Sequence, residues 1–262
     1  MKRLVALTAQ TLTFCALACA QQASGNRVVV PARNTSHPRV VNASTSNESI
    51  TVKAYNGKEV IVETTDGHSR RERTVDGLRR LNIPGTGLEV EEQDNVITVR
   101  LHSSSEGGLL ITVPVETSLQ LRSSNGAVEV EGVHGEMDVS ARNGAIVLSH
   151  VSGTVVADSR NGEVKVSMDA VDPGKPISFS TWNGGLDVTL PADFKANLKM
   201  RANQGEIYSD FEIKLGPGQL TTERADGRYR VKVDQNITGT INGGGTDASF
   251  TTYNGRILIR KK

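Results

Sequence analysis

Chemistry in this chain would have to come from its acids, histidines, serines and arginines, and their spacing gathers few of them. Glycoside hydrolysis needs two carboxylates about 5 to 10 Å apart, yet Asp138, Asp158 and Glu163 stand isolated. The histidines His37, His68, His102, His134 and His150 are scattered. Zinc ligands usually come in closely spaced pairs, and only His134 and His150 share a setting, near Gly-containing corners. No Gly-x-Ser-x-Gly elbow accompanies the many serines. Gly243-Gly244-Gly245 is followed by neither lysine nor a helix signal, so it is no phosphate loop. Trp182, the single tryptophan, precedes a turn asparagine, where it can stack on a sugar or pack on a neighbouring turn. Arg70, Arg71, Arg73, Arg79 and Arg80 form a candidate anion patch for acidic glycans, lipid head groups or phosphate, and a solvated charged loop is the simpler reading. No catalytic residue, cofactor site or metal site is expected.

A repeat positions these residues. Asn125-Gly126, Asn143-Gly144 and Asn161-Gly162 follow one another at intervals of 18 residues. Asn183-Gly184 comes 22 residues later, the surplus falling in Asp172-Pro173-Gly174-Lys175-Pro176. Gln204-Gly205 takes the next place, and Asn254-Gly255 closes the series. Four residues before each turn stand Leu121, Val139, Ala157, Phe179, Met200 and Phe250; three after stand Val128, Ile146, Val164, Leu186, Ile207 and Ile257. The slots six before and five after are apolar almost throughout, with polar residues between. Period-two alternation on both sides of a turn means half-buried strands. The slot four after the turn reads Glu129, Val147, Lys165, Asp187, Tyr208 and Leu258, which is no acidic ladder.

A second corner, Gly132-Val133-His134-Gly135 and then His150-Val151-Ser152-Gly153, makes each unit one complete coil. The expected fold is all-β: a single-stranded β-helix or β-solenoid with about 18-residue coils and Asn-Gly turns, wound right-handed. A hairpin meander is the alternative; it would put equivalent turns about 10 Å apart instead of about 5 Å. Gly144 and Gly162 are expected to hold positive φ, the usual reason for Asn-Gly in a tight reversal. Leu88, Val90, Ile97 and Val99 fit the slots around Asp94-Asn95. Ile50 and Val52 fit before Asn56-Gly57, with Val60 and Val62 one residue late. The segment 211–245 falls out of register.

Residues 1–20 read as a signal peptide: Lys2 and Arg3, a short apolar run from Leu4 to Leu17, and Ala18-Cys19-Ala20 as the cleavage site. Lipidation at Cys19 is the rival. Residues 21–47 are expected to be an irregular leader, with an edge strand at Val28–Val30. The β-solenoid is expected over 48–262, with a charged insertion at 64–87 that carries the arginines. Both cysteines, Cys15 and Cys19, fall in the exported segment, so no disulfide is expected. Thirty basic against 29 acidic residues argue against a nucleic-acid partner. Aromatics at 4% leave no base-stacking platform, and no later segment is long and apolar enough for a transmembrane helix.

Ser123-Ser124-Asn125-Gly126-Ala127-Val128-Glu129-Val130 and Ser159-Arg160-Asn161-Gly162-Glu163-Val164-Lys165-Val166 share one motif. With Ser180-Thr181-Trp182-Asn183-Gly184 and the Val-x-Gly corners, it resembles the bacterial putative-adhesin family of β-strand-repeat domains of unknown function. The resemblance covers residues 88–210 clearly. It implies an exported, non-catalytic β-helix, an adhesin or cell-envelope interaction module whose partner is a cell-surface glycan or protein. The family supplies no binding residues. The alternative is a carbohydrate-active β-helix enzyme of the polysaccharide lyase or hydrolase kind.

Overall fold

The computed structural model describes residues 27–32, 38–65, 87–101, 107–216, 220–225, 228–233 and 236–262. The targeting segment and all five arginines of the expected anion patch lie outside these residues. Among the described residues every regular element is a strand. Alternation is the cause: along Thr117–Ser123 each second residue is buried and the others face outward, and Val, Ile and Thr suit that half-buried pleat.

The strands pair in parallel at the spacing of the repeat. Met137 lies opposite Leu119 on one side and Val155 on the other, each 18 residues away. A meander would pair them antiparallel, so the molecule is a β-solenoid. Each rung contributes one strand before its Asn turn and one after, making, among the described residues, two faces of a continuous 20-stranded sheet. One face contains Arg39–Thr45, Thr117–Ser123, His134–Ala141 and Ile177–Asn183; the opposite face contains Ile50–Tyr55, Val128–Glu131 and Leu186–Leu190. The long strand Ile146–Ser159 passes from one face to the other through its corner. Between the faces lies one core, in which Leu121, Val139, Ala157, Phe179 and Phe250 meet Val128, Ile146, Val164, Leu186 and Ile257. Val133, Val151 and Met168 fill its corner side.

Rung order in space departs from rung order in the chain at both ends. Arg39–Thr45 is inserted between Val96–Leu101 and Thr117–Ser123, and Ile50–Tyr55 between Gly108–Pro114 and Val128–Glu131. At the other end Thr246–Asn254 lies between Ile177–Asn183 and Ala196–Gln204. Ile257–Lys261 lies between Leu186–Leu190 and Ile207–Ser209. The Asn254 rung therefore stands one place in from the end, and Gln204 does not follow Asn183. Antiparallel strands flank the outer rungs: Leu88–Gln93 and Val60–Thr65 at one end, and Ile237–Ile241 along residues 196–200 at the other. Pairing those outer edges occupies hydrogen-bonding groups that would otherwise recruit other chains.

This order corrects several expectations. Residues 39–45, expected within an irregular leader, form an internal strand. Ile50 and Val52 are opposite Val128 and Val130, so they follow a turn at Asn47 and do not precede one at Asn56-Gly57. Glu48 occupies the glycine position there, which hid the motif. Asp94-Asn95 is the tip of an antiparallel hairpin in which Leu88 faces Leu101; both tip residues have positive φ, as a two-residue hairpin demands. Val60 and Val62 belong to an antiparallel strand on Gly108–Pro114. The out-of-register segment supplies Ile213–Leu215 and Ile237–Ile241, antiparallel to each other.

Candidate interaction surface

The turns align into one edge of the solenoid. The side-chain amide of Asn143 donates to Asn125 Oδ1 at 2.9 Å, Asn161 to Asn143 at 2.8 Å, Asn183 to Asn161 at 2.8 Å and Asn254 to Asn183 at 2.7 Å. Asn125 donates in turn to Asn47 at 2.9 Å. An amide carries both donor and acceptor, so one side-chain type repeated at one slot makes a continuous chain of hydrogen bonds. Two residues before Asn161, Asn183 and Asn254 a buried hydroxyl does parallel work. Ser159 donates to the carbonyl of Gly144 at 3.0 Å, Thr181 to Gly162 at 2.9 Å and Thr252 to Gly184 at 3.0 Å.

The glycines are required for a different reason from the one expected. Gly126, Gly144, Gly162 and Gly184 are absent from the positive-φ residues. A Cβ on Gly144 would lie 2.2 Å from the carbonyl oxygen of Gly126, and one on Gly162 would lie 2.1 Å from that of Gly144. Gly184 meets Gly162 at 2.2 Å, Gly255 meets Gly184 at 2.0 Å and Gly205 meets Gly255 at 1.8 Å. Stacking turn upon turn leaves no room for a side chain, and only glycine permits that backbone approach.

Outward slots beside this edge carry charged, hydroxyl and aromatic side chains. One residue before each ladder asparagine, in spatial order, stand Ser46, Ser124, Arg142, Arg160, Trp182 and Tyr253. Trp182 is 54% exposed. It stacks on Tyr253 with centroids 4.4 Å apart and planes within 2°, a separation close to the rung spacing of about 4.8 Å. Trp182 thus packs on a neighbouring rung while keeping an exposed edge. Three residues before the turn the slot holds Ser44, Arg122, Ser140, Asp158 and Ser180, flanked by Arg100 opposite Ser44.

Between these two rows runs a groove of about 540 Å³ lined by Arg100, Arg122, Arg142 and Arg160, with serines between them and one carboxylate, Asp158. Arg122 reaches Asp138 at 3.5 Å and Arg100 reaches Glu89 at 3.6 Å. Asp158 accepts a hydrogen bond from Ser180. These arginines escaped the sequence reading, which followed the slot four after each turn. The readable signal was the pair of slots one and three before it.

The remaining candidates are dispersed. His134 faces Glu116 at 3.6 Å, whereas His150 faces Asp169 at 3.4 Å, so the two histidines have separate partners. Asp138, Asp158 and Glu163 all lie on the outer surface of their rungs. Among the described residues no group of three His, Cys, Asp or Glu side chains is placed to hold a metal ion.

Fold and surface together define a two-faced parallel β-solenoid with a glycine-stacked, asparagine-laddered edge. The Toastrack DUF4097 family model matches residues 27–242, and the chain belongs to that family. Among solved structures it is similar to a "putative cell adhesion protein" from Clostridium sporogenes ATCC 15579. That match has 11% identity and a TM-score of 0.43, covering 90% of this chain and 98% of the other. It is also similar to a "putative adhesin" from Bacteroides fragilis NCTC 9343, with 12% identity and a TM-score of 0.41, covering 90% and 96%. Comparison with curated proteins finds no match. Among the described residues no helix is long and apolar enough to cross a membrane.

Proposed function

We propose that this protein is an exported, non-catalytic adhesive module that contacts cell-envelope material through the outward face beside its asparagine edge. One observation supports the reading above others: stacked rungs hold the exposed Trp182 ring on a half-buried Tyr253, in the same slot as Arg142 and Arg160. Rigid, regularly spaced side chains lose little entropy on contact, which favours binding to a repetitive partner. Right-handed winding, the sense that parallel crossovers adopt, is part of the same reading. So is export by cleavage after Ala20, for which the mature protein should begin at Gln21 by intact mass. A diacylglycerol mass on Cys19 would replace that account with lipid anchoring.

The test is a binding screen of the mature protein against whole cells and isolated envelope glycans, with the glycans recovered for mass analysis. Retention without any change in glycan mass is expected. Shortened glycan products would identify an enzyme and end the non-catalytic reading; failure to bind any cell-surface material would end the adhesive one.

A further inference from the structure

Arg142 and Arg160 occupy the same outward slot on adjacent rungs. Asn161 N–H bonds to Arg142 C=O at 3.0 Å and Arg160 N–H to Ala141 C=O at 3.0 Å, which fixes their backbones about 4.8 Å apart. Among the described residues neither guanidinium has an acidic partner within 4 Å, whereas Arg100 and Arg122 each have one. Two like charges held one rung apart repel, and an oxyanion placed between them relieves that repulsion. The same slot continues as Ser124 and Ser46 on one side and as Trp182 and Tyr253 on the other. Hydroxyls, paired guanidiniums and an aromatic pair therefore follow one another along a single straight line.

The groove beside that line crosses five adjacent strands, from Val96–Leu101 to the rung of Asn161. Four intervals make it on the order of 20 Å long. It is open and polar along its length, a form suited to a linear chain lying across the strands. The geometry points to a linear acidic polysaccharide as its ligand, with carboxylate or sulfate groups on Arg142 and Arg160, sugar hydroxyls on Ser46 and Ser124, and a ring against Trp182. Nucleic acid fits less well. Trp182 is the one ring on this line more than half exposed, too little for a run of stacked bases, and the chain carries a formal net charge of only +1, against the strong basic excess of nucleic-acid binders. This inference rests on the adhesive reading and assigns its ligand class.

The test compares four probes on the mature protein by calorimetry or anisotropy: heparin for sulfate, polygalacturonate for carboxylate, dextran as a neutral glycan, and mixed-sequence single-stranded DNA. At least one acidic glycan should bind, weakening as salt rises, while dextran does not. R142A/R160A should lower that affinity about tenfold or more, with unchanged circular dichroism and melting. The control K53A/K165A removes two charges from the opposite face, where both lysines are exposed, and should change affinity less than about twofold. Equal losses in both variants would reduce the effect to general charge and overturn the site. DNA bound as tightly as the acidic glycans, and lost in R142A/R160A, would overturn the glycan assignment, as would failure of both acidic glycans to bind. The two readings fail separately. Undiminished cell binding by R142A/R160A overturns the groove alone; absent cell binding with intact, arginine-dependent heparin binding overturns the adhesive module alone.

Discussion

Asn254 donates its side-chain amide to Asn183 at 2.7 Å across 71 residues of chain. On its other flank Asn254 lies opposite Gln204, so the rung of residues 246–261 is paired on both sides. Phe250 packs on Phe179 with ring centroids 5.5 Å apart, and Arg260 forks onto Asp187 at 2.7 and 3.3 Å. Removing residues 246–262 should leave the rungs of Asn183 and Gln204 with unpaired facing edges, and such edges self-associate. Size-exclusion chromatography of the truncated protein should show aggregates, and a monomer melting like the full chain would contradict the inserted order. Phe250→Ala, a milder change, should cost about 3–5 kcal/mol in urea unfolding through the cavity it leaves.

The glycine stack makes a prediction that backbone torsion alone does not. Gly162→Ala should destabilise by about 1–3 kcal/mol, because its Cβ must displace the Gly144 carbonyl. Gly243 has φ of +88° and open space within 4 Å of where a Cβ would stand, so Gly243→Ala should cost about 1 kcal/mol from torsion only. Urea unfolding of the two variants separates the causes. A harmless Gly162→Ala would show that the turns do not stack closely.

In–out polarity is tested at neighbouring residues. Val164 is fully buried between the rungs of Ile146 and Leu186, whereas Lys165 faces outward. Val164→Asp should cost more than about 3 kcal/mol by burying an unpaired charge. Lys165→Thr should change stability by about 0.5 kcal/mol or less. Chemical denaturation measures both, and equal losses would refute the assignment of faces.

Asp169 links the strand Val164–Val171 to Lys262 and His150. Its hydrogen bond with Lys262, aided by the charges of Lys262 and His150, holds its carboxyl below the ordinary value of 3.8. A depressed carboxyl stabilises the fold above its unfolded pKa and loses that contribution as pH falls through the folded one. Wild type should therefore be more stable than Asp169→Asn at neutral pH. The difference should shrink once pH falls below 3.8 and vanish when the lowered native value is passed. Thermal melts from about pH 2 to about pH 7 span that window, and a difference independent of pH would exclude the ion pair as its source.

Local patterning in the sequence determined the strands, their buried faces and the turn spacing. Alternation at Leu119, Leu121, Val128 and Val130 is a property of neighbouring residues, and each rung repeats it. The Asn slot was equally legible, because a ladder needs the same amide at the same position. Rung order was not legible. Rungs built to one template offer nearly interchangeable edges, so the repeat says that Asn254 joins the ladder without saying between which neighbours. Glu48 in a glycine position concealed the Asn47 turn, and only the register of Ile50 with Val128 revealed it. The arginine groove depends on that order as well: Ser44 and Arg122 are adjacent only because residues 39–45 are inserted against 117–123. Tertiary structure decided these neighbours, since contacts between rungs far apart in the chain are chosen by edge pairing and core fit, which no local period encodes.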